Sequence, residues 1–239
     1  MEYFNSIYRK RLNRYGLDYQ SRIQGEREKN FERYLLKTVY RVDFIYDNRP
    51  FSGSLEKYRQ DETETLQYLL VPIDIDIPAG TVLELVKRDG KEQHWLVYYL
   101  EEIQASGYNR YIVLRMTHNI TWKGRDKNLY NSWCYLYGQE NNMLKDEIRS
   151  RSRSNTIYAE NLKSSFLIMP VNKNINKDDY FEIGENELKE AYRVTGYDRQ
   201  STPGVEYVTV DPIYFYDNSP TPKPEEGESE ENYYWIMEE

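Results

Sequence analysis

The chain has a single cysteine, Cys134, and only two histidines, His94 and His118, in 239 residues. One thiol cannot close an internal disulfide and fits a reducing compartment. The two histidines fall on different expected strands beside tryptophan-containing apolar sequence, which reads as satisfied sheet residues rather than ligands. Long hydrophobic runs are also missing. The longest, Trp95 to Leu100, is far short of the roughly 18 residues that cross a bilayer, so no membrane association is expected. The opening MEYFNSIYRKRL has no apolar h-region, so no ordinary secretory signal is expected. No GxSxG elbow, phosphate-binding GxxxxGKS/T loop, GxGxxG or HExxH occurs.

What acidic chemistry remains is weak in pattern. Asp74 and Asp76 point the same way on an extended segment, and Asp178-Asp179 open a turn. Carboxylate pairs can hold Ca²⁺ or serve a glycosidase, but 40 acidic residues make chance pairs easy, and solvated roles are expected. Cys134, inside the strand-like Tyr130–Tyr137, is expected to be buried rather than nucleophilic. No catalytic, cofactor-binding or metal-binding residue is assigned, no cofactor is expected, and the chain reads as a non-enzyme.

Tyrosine is what the sequence has in excess, 25 against seven phenylalanines. Many sit at alternate positions: Tyr40, Phe44 and Tyr46 interleave with Arg41, Asp43 and Ile45, and Tyr207 leads through Thr209 to Asp211. An apolar ring carrying a hydroxyl suits both sheet edges and surfaces buried against another protein. Exposed tyrosines could also stack on sugars, which keeps a carbohydrate-binding or carbohydrate-cleaving β protein as an alternative.

Charge is uneven. Residues 1–41 carry ten Lys/Arg and five Asp/Glu, a net of +5, whereas residues 217–239 carry one lysine and eight acids, a net of −7. The total of −8 leaves −6 for the middle. An acidic chain does not grip nucleic acid nonspecifically. A basic head and an acidic tail suit self-assembly or two different partners.

The N-terminal part, 1–39, reads as helical. Asn5 or Ser6 caps a short helix carrying Ile7, Tyr8, Leu12 and Tyr15, stopped by Gly16. Asp18 or Ser21 caps a second helix to about Thr38, with Ile23, Phe31, Tyr34 and Leu35 on one narrow stripe. That stripe is expected to lie on a neighbouring subunit or on another protein of the same assembly. From Tyr40 the period changes to two, with strands expected at 40–46, 66–71, 81–87, 94–103, 110–117 and 129–137. Breaks fall at 47–50, 78–80, 89–90 and 106–107, and Asp89-Gly90 between alternating runs signals a hairpin. The spacing predicts a mainly β chain: an antiparallel barrel or sandwich over 40–137, a linker or loop at 138–155, and a second small β-rich domain at 156–216. In that second domain the expected strands are 156–158, 165–169, 180–183, 191–197 and 205–216.

Residues 217–239 form an extended acidic tail. Pro220, Pro222 and Pro224 favour a polyproline spacer, and Tyr233, Tyr234, Trp235, Ile236 and Met237 make an apolar peptide at its end. Those five are expected either to fold back as a last strand of their own domain or to form a protein interface by adding a strand to a sheet edge of a neighbour.

The segment 78–122 carries a family resemblance. An IPAGTVLEL strand entry leads through HWLVYYLEEI and GYNRYIVLRMTHNITW to a tryptophan-ended strand before a charged loop. In this order it resembles the stopper or head-closure class of head-to-tail connector proteins of tailed bacteriophages and prophages. The closing YRVTGYDRQSTPGVEYVTVDPIYFYD is similar to β-rich endings of phage structural proteins. Compact stoppers are much shorter, so 156–216 would be an added domain, and the acidic tail lies outside the pattern. The resemblance implies a homo-oligomeric ring under the portal, assembled in the host cytoplasm and resident in the virion. The ring would contact portal or adaptor and tail proteins and let DNA pass through its lumen without specific binding. A tail-completion or baseplate protein is the alternative virion role.

Overall fold

The computed structural model describes residues 19–59, 65–87, 90–101, 107–137, 165–172, 174–183 and 190–213. The first expected helix, the 138–155 segment, the strand at 156–158 and the C-terminal tail lie outside them. Helix α1 (Tyr19–Lys37) is followed by β1 (Arg41–Tyr46), β2 (Arg49–Lys57), β3 (Leu66–Pro72), β4 (Val82–Lys87), β5 (Glu92–Glu101) and β6 (Tyr108–Arg115). Then come β7 (His118–Lys123), β8 (Leu129–Tyr137), β9 (Ser165–Pro170), β10 (Tyr180–Ile183), β11 (Glu190–Thr202) and β12 (Val205–Ile213). These strands make two closed antiparallel barrels, ordered β1-β2-β3-β6-β5-β4 and β10-β11-β12-β9-β8-β7. The mainly β expectation with barrel closure holds.

Local chemistry sets the hairpins. Asp47 and Asn48 both adopt positive φ, 50° and 58°, the backbone that a two-residue hairpin with the twist of its strands requires. Tyr46 therefore pairs with Arg49 and β2 follows at once. Gly90 turns β4 into β5 at φ 77°, where Val86 pairs with Glu92. The first barrel closes through Val42↔Lys87 and Asp43↔Val86. The second closes through Phe181↔Trp122.

The division between barrels falls at Met116-Thr117, not at 138–155. The amide of Met116 donates to His94 in the first barrel at 2.8 Å, and that of Thr117 to Cys134 in the second at 3.0 Å. Strands β7 and β8, grouped by sequence with the preceding ones, thus belong to the second barrel. A crossover of two residues with neither glycine nor proline leaves no mark in the sequence.

Each barrel has its own interior. Val42, Phe44, Leu83, Leu85, Trp95, Val97, Tyr111 and Val113 fill the first. Ile120, Trp122, Cys134, Leu167, Phe181, Val194, Val208 and Val210 fill the second. A third core lies between them, where the outer faces of both barrels meet: Leu66, Leu96, Tyr98, Ile112, Leu114 and Met116 against Tyr137, Phe166, Ile168, Val205 and Tyr207. Along β5 the ordinary alternation sends Trp95 and Val97 into the barrel interior and Leu96 and Tyr98 into the shared core, and a register shift follows between Val97 and Tyr99. Burying each large apolar side chain contributes roughly 1.5–3 kcal/mol, so the barrels are joined as firmly as each is filled.

Helix α1 lies on the first barrel. Phe31 and Leu35 are buried on Leu70, with Tyr68 and Tyr108 alongside, and the Phe31 and Tyr108 rings are 5.0 Å apart. The helix backbone approaches so closely that a Cβ on Gly107 would stand 2.4 Å from the Arg27 carbonyl carbon. Phe31 and Leu35, two of the four stripe residues expected to rest on another protein, are instead used within the chain. Leu70 and Tyr108 point outward from β3 and β6 and need a cover, which α1 supplies.

Candidate interaction surfaces

The residues that might carry chemistry are held by the fold. Cys134 is buried in the second barrel, and burial pushes its thiol up to about 12, which leaves no thiolate near neutral pH. His94 points away from the first barrel and stacks on Trp133 of the second, ring centres 3.8 Å apart. His118 Nδ1 is 2.7 Å from the Thr117 hydroxyl, and burial lowers its basicity. Asp74 and Asp76 are exposed, with Asp76 accepting from the Tyr111 hydroxyl at 3.3 Å. Asp179 accepts the Asn176 amide at 2.7 Å. Among the described residues no group of three or more His, Cys, Asp or Glu could hold a metal ion.

One carboxylate was not singled out by the sequence. Glu206 is fully buried within the second barrel, and Arg199 Nε donates to it at 2.6 Å. The Arg199 Nη2 group also donates to the carbonyls of Asn172 and Ile175 at 2.8 and 2.7 Å, and the guanidinium lies 4.1 Å from the centre of the Tyr197 ring. Burial raises the Glu206 carboxyl, and Arg199 opposes it. With one partner spread across three acceptors, the arrangement ties the 172–175 loop to β11 and β12.

The expected interface residues separate. Phe31 and Leu35 are covered by the first barrel. Tyr34 donates to Glu56 at 2.6 Å and keeps 37% of its surface. Ile23 is half-buried and, with Gln20, Ser21, Gln24 and Arg27, lines an open depression of about 510 Å³. Tyr233, Tyr234, Trp235, Ile236 and Met237 lie outside the described residues.

Other apolar side chains do face solvent. Leu36, Val39 and Tyr40 are 70%, 71% and 58% exposed. Leu36 lies in the last turn of α1, and Val39 and Tyr40 form the turn that leads into β1, so the three follow one another closely in the chain. Their backbone is held: the Thr38 amide donates to the Tyr34 carbonyl at 2.9 Å, and the Leu55 amide to the Tyr40 carbonyl at 2.9 Å. Tyr40 N also donates to the Thr38 hydroxyl at 3.2 Å. The LKTVY run was the only sequence signal for this patch, and it sits off the stripe that seats the helix. A second exposed site is Ile45 at 71%, beside Val86 at 36%. Val86 belongs to the short seam that closes the first barrel, and Ile45 lies two residues beyond it on β1. No described helix is long and apolar enough to cross a membrane.

No protein-family model matches the sequence, and no curated protein is similar to it. Among solved structures, the chain is similar to MrkH, described as a c-di-GMP-dependent transcription regulatory factor. That match has 9% identity, 81% of this chain and 84% of that chain covered, and a TM-score of 0.23. The complex of K. pneumonia MrkH with c-di-GMP matches at 9% identity, 81% and 87% coverage, and a TM-score of 0.25. Likenesses this distant carry no argument about what the chain does.

Proposed function

We propose that the chain is a structural subunit of a tailed-phage or prophage virion, placed at the head–tail junction. Copies would form a ring that closes the DNA-filled capsid and receives the tail. One observation carries the reading: Leu36, Val39, Tyr40 and Ile45 of the first barrel and its helix, and Leu129 of the second, stand more than half exposed on a folded backbone. Rigid exposed apolar side chains are what a contact surface requires, because nothing need be ordered on association. The resemblance of segment 78–122 to stoppers supports the position in the virion. There Gly80 and the strands around it belong to the junction of the two barrels.

In this role the chain works by contact with its copies, with portal or adaptor proteins and with tail proteins. Its acidic charge lets DNA phosphates pass without sticking. Assembly takes place in the host cytoplasm, and the protein ends in the virion.

Gold labelling of an affinity-tagged chain in purified virions tests the position. Label at the neck, between capsid and tail, is expected. Label confined to the distal tail would instead make the chain a tail-completion or baseplate subunit. A virion lacking the chain would overturn both.

A further inference from the structure

We propose that the patch of Leu36, Val39 and Tyr40 is the receiving site for the C-terminal peptide Tyr233–Met237 of a second copy of this chain. The inference rests on the ring reading and names the contact that joins neighbours.

The patch is apolar, exposed and fixed in place by the hydrogen bonds around Thr38 and Tyr40. A partner therefore meets a preformed surface and loses only its own freedom on docking. Strand addition, the usual way to hold an extended peptide, has little to work on here. Both sheets are closed, so the described strands offer no long free edge. Side-chain docking onto a preformed patch is the route that remains.

Charge selects the occupant. Residues 19–41 hold six Lys/Arg and three Asp/Glu, a net of +3, and Arg33, Lys37 and Glu32 are exposed on the last turns of α1 around Leu36. Residues 225–239 hold seven acids and no base, and Glu230, Glu231, Glu238 and Glu239 bracket the five apolar residues. An apolar centre with acidic flanks complements an apolar patch in a basic setting, and the attraction is screened by salt. The 19 residues from 214 to 232 reach up to about 60 Å at roughly 3.1 Å each, enough to cross to a neighbouring subunit.

The test uses the full chain with a photo-cross-linking amino acid in place of Trp235, mixing ¹⁵N-labelled and unlabelled copies. Mass spectrometry of the cross-linked peptides is expected to find Leu36–Arg41 joined to the tail in mixed-isotope pairs. The yield should fall several-fold at high salt, and also in a Leu36→Asp, Val39→Asp variant that keeps the normal unfolding temperature. Cross-links only within one copy, or to any other segment, overturn the proposal whether or not the variant folds. Light scattering on the same sample reads the ring separately. A closed oligomer with cross-links elsewhere leaves the ring and removes this docking site, whereas mixed-isotope links at the patch without a closed oligomer support the docking and count against the ring.

Discussion

Gly80 and Gly204 meet backbone to backbone where the two barrels join. A Cβ on Gly80 would lie 2.1 Å from the Gly204 carbonyl oxygen, and one on Gly204 would lie 1.9 Å from the Ala79 carbonyl oxygen. Both residues also have positive φ, 89° and 75°. Any side chain at either position must push the barrels apart, and the shared core of tyrosines and aliphatics lies directly behind.

Gly80→Ala and Gly204→Ala are each expected to destabilise the chain more than Gly90→Ala. Gly90 has positive φ too, but nothing lies within 4 Å of its Cβ position. Its alanine variant should cost roughly 1–2 kcal/mol from backbone strain alone, with the junction variants about 1–3 kcal/mol beyond that from overpacking. Urea unfolding of the three variants checks the order, and equal costs would mean the barrels are not clamped here.

Tyr98 and Tyr207 couple the barrels through their hydroxyls, 2.5 Å apart in the shared core, and Tyr207 continues to Thr202 at 2.9 Å. Replacing either by phenylalanine leaves a buried hydroxyl short of a partner. Each single variant is expected to cost about 1–3 kcal/mol, and the double variant less than the sum. A double-mutant cycle from unfolding curves measures that coupling, and strict additivity would contradict it.

Much of this architecture is legible in the sequence where one face decides a strand. Val42, Phe44 and Tyr46 alternate with Arg41, Asp43 and Ile45 because only one side of β1 is covered. Strands covered on both sides read differently. Trp95–Tyr98, Tyr111–Leu114 and Phe166–Met169 are unbroken apolar runs with one face in a barrel and the other in the shared core, and such runs are the sequence trace of the junction. β2 escaped because Pro50, Ser52, Gly53 and Ser54 have little β preference of their own, and pairing with β1 and β3 holds them. The seat of α1 was misplaced for another reason: a narrow apolar stripe says that a helix needs a cover, not whose surface supplies it. Leu36 and Val39 were missed because they fall outside that stripe, and Tyr40 because it reads as a position of the first strand. Glu206 was missed because one acid among 40 shows no sign of burial until β12 is folded.

His118 gives the fold a dependence on acid. Burial lowers its pKa from 6.5, so below that value the unfolded chain takes up a proton that the folded chain resists. Stability from this residue is fully present above about 6.5 and falls as pH drops through the window beneath it. Thermal unfolding of the wild type and of His118→Gln across that window is expected to show a steeper loss in the wild type. Parallel curves would show that His118 protonates freely in the folded state.

Cys134 should be silent in the native protein and reactive only on unfolding. With its thiol pushed up to about 12 by burial, a thiol reagent at neutral pH should label the denatured chain fully and the native chain only at the rate of unfolding. Cys134→Ala is expected to cost about 1–3 kcal/mol with assembly unimpaired. A folded variant that fails to assemble would give the thiol a role that the barrel interior does not explain.

Native mass spectrometry of the purified full chain tests the assembly reading most directly. A subunit that works by joining its copies is expected to give one closed oligomer of fixed copy number, and Leu36→Asp with Val39→Asp should reduce it to smaller species without lowering the unfolding temperature. A chain that stays monomeric at every concentration tried, with the wild type and the variant indistinguishable, would contradict it.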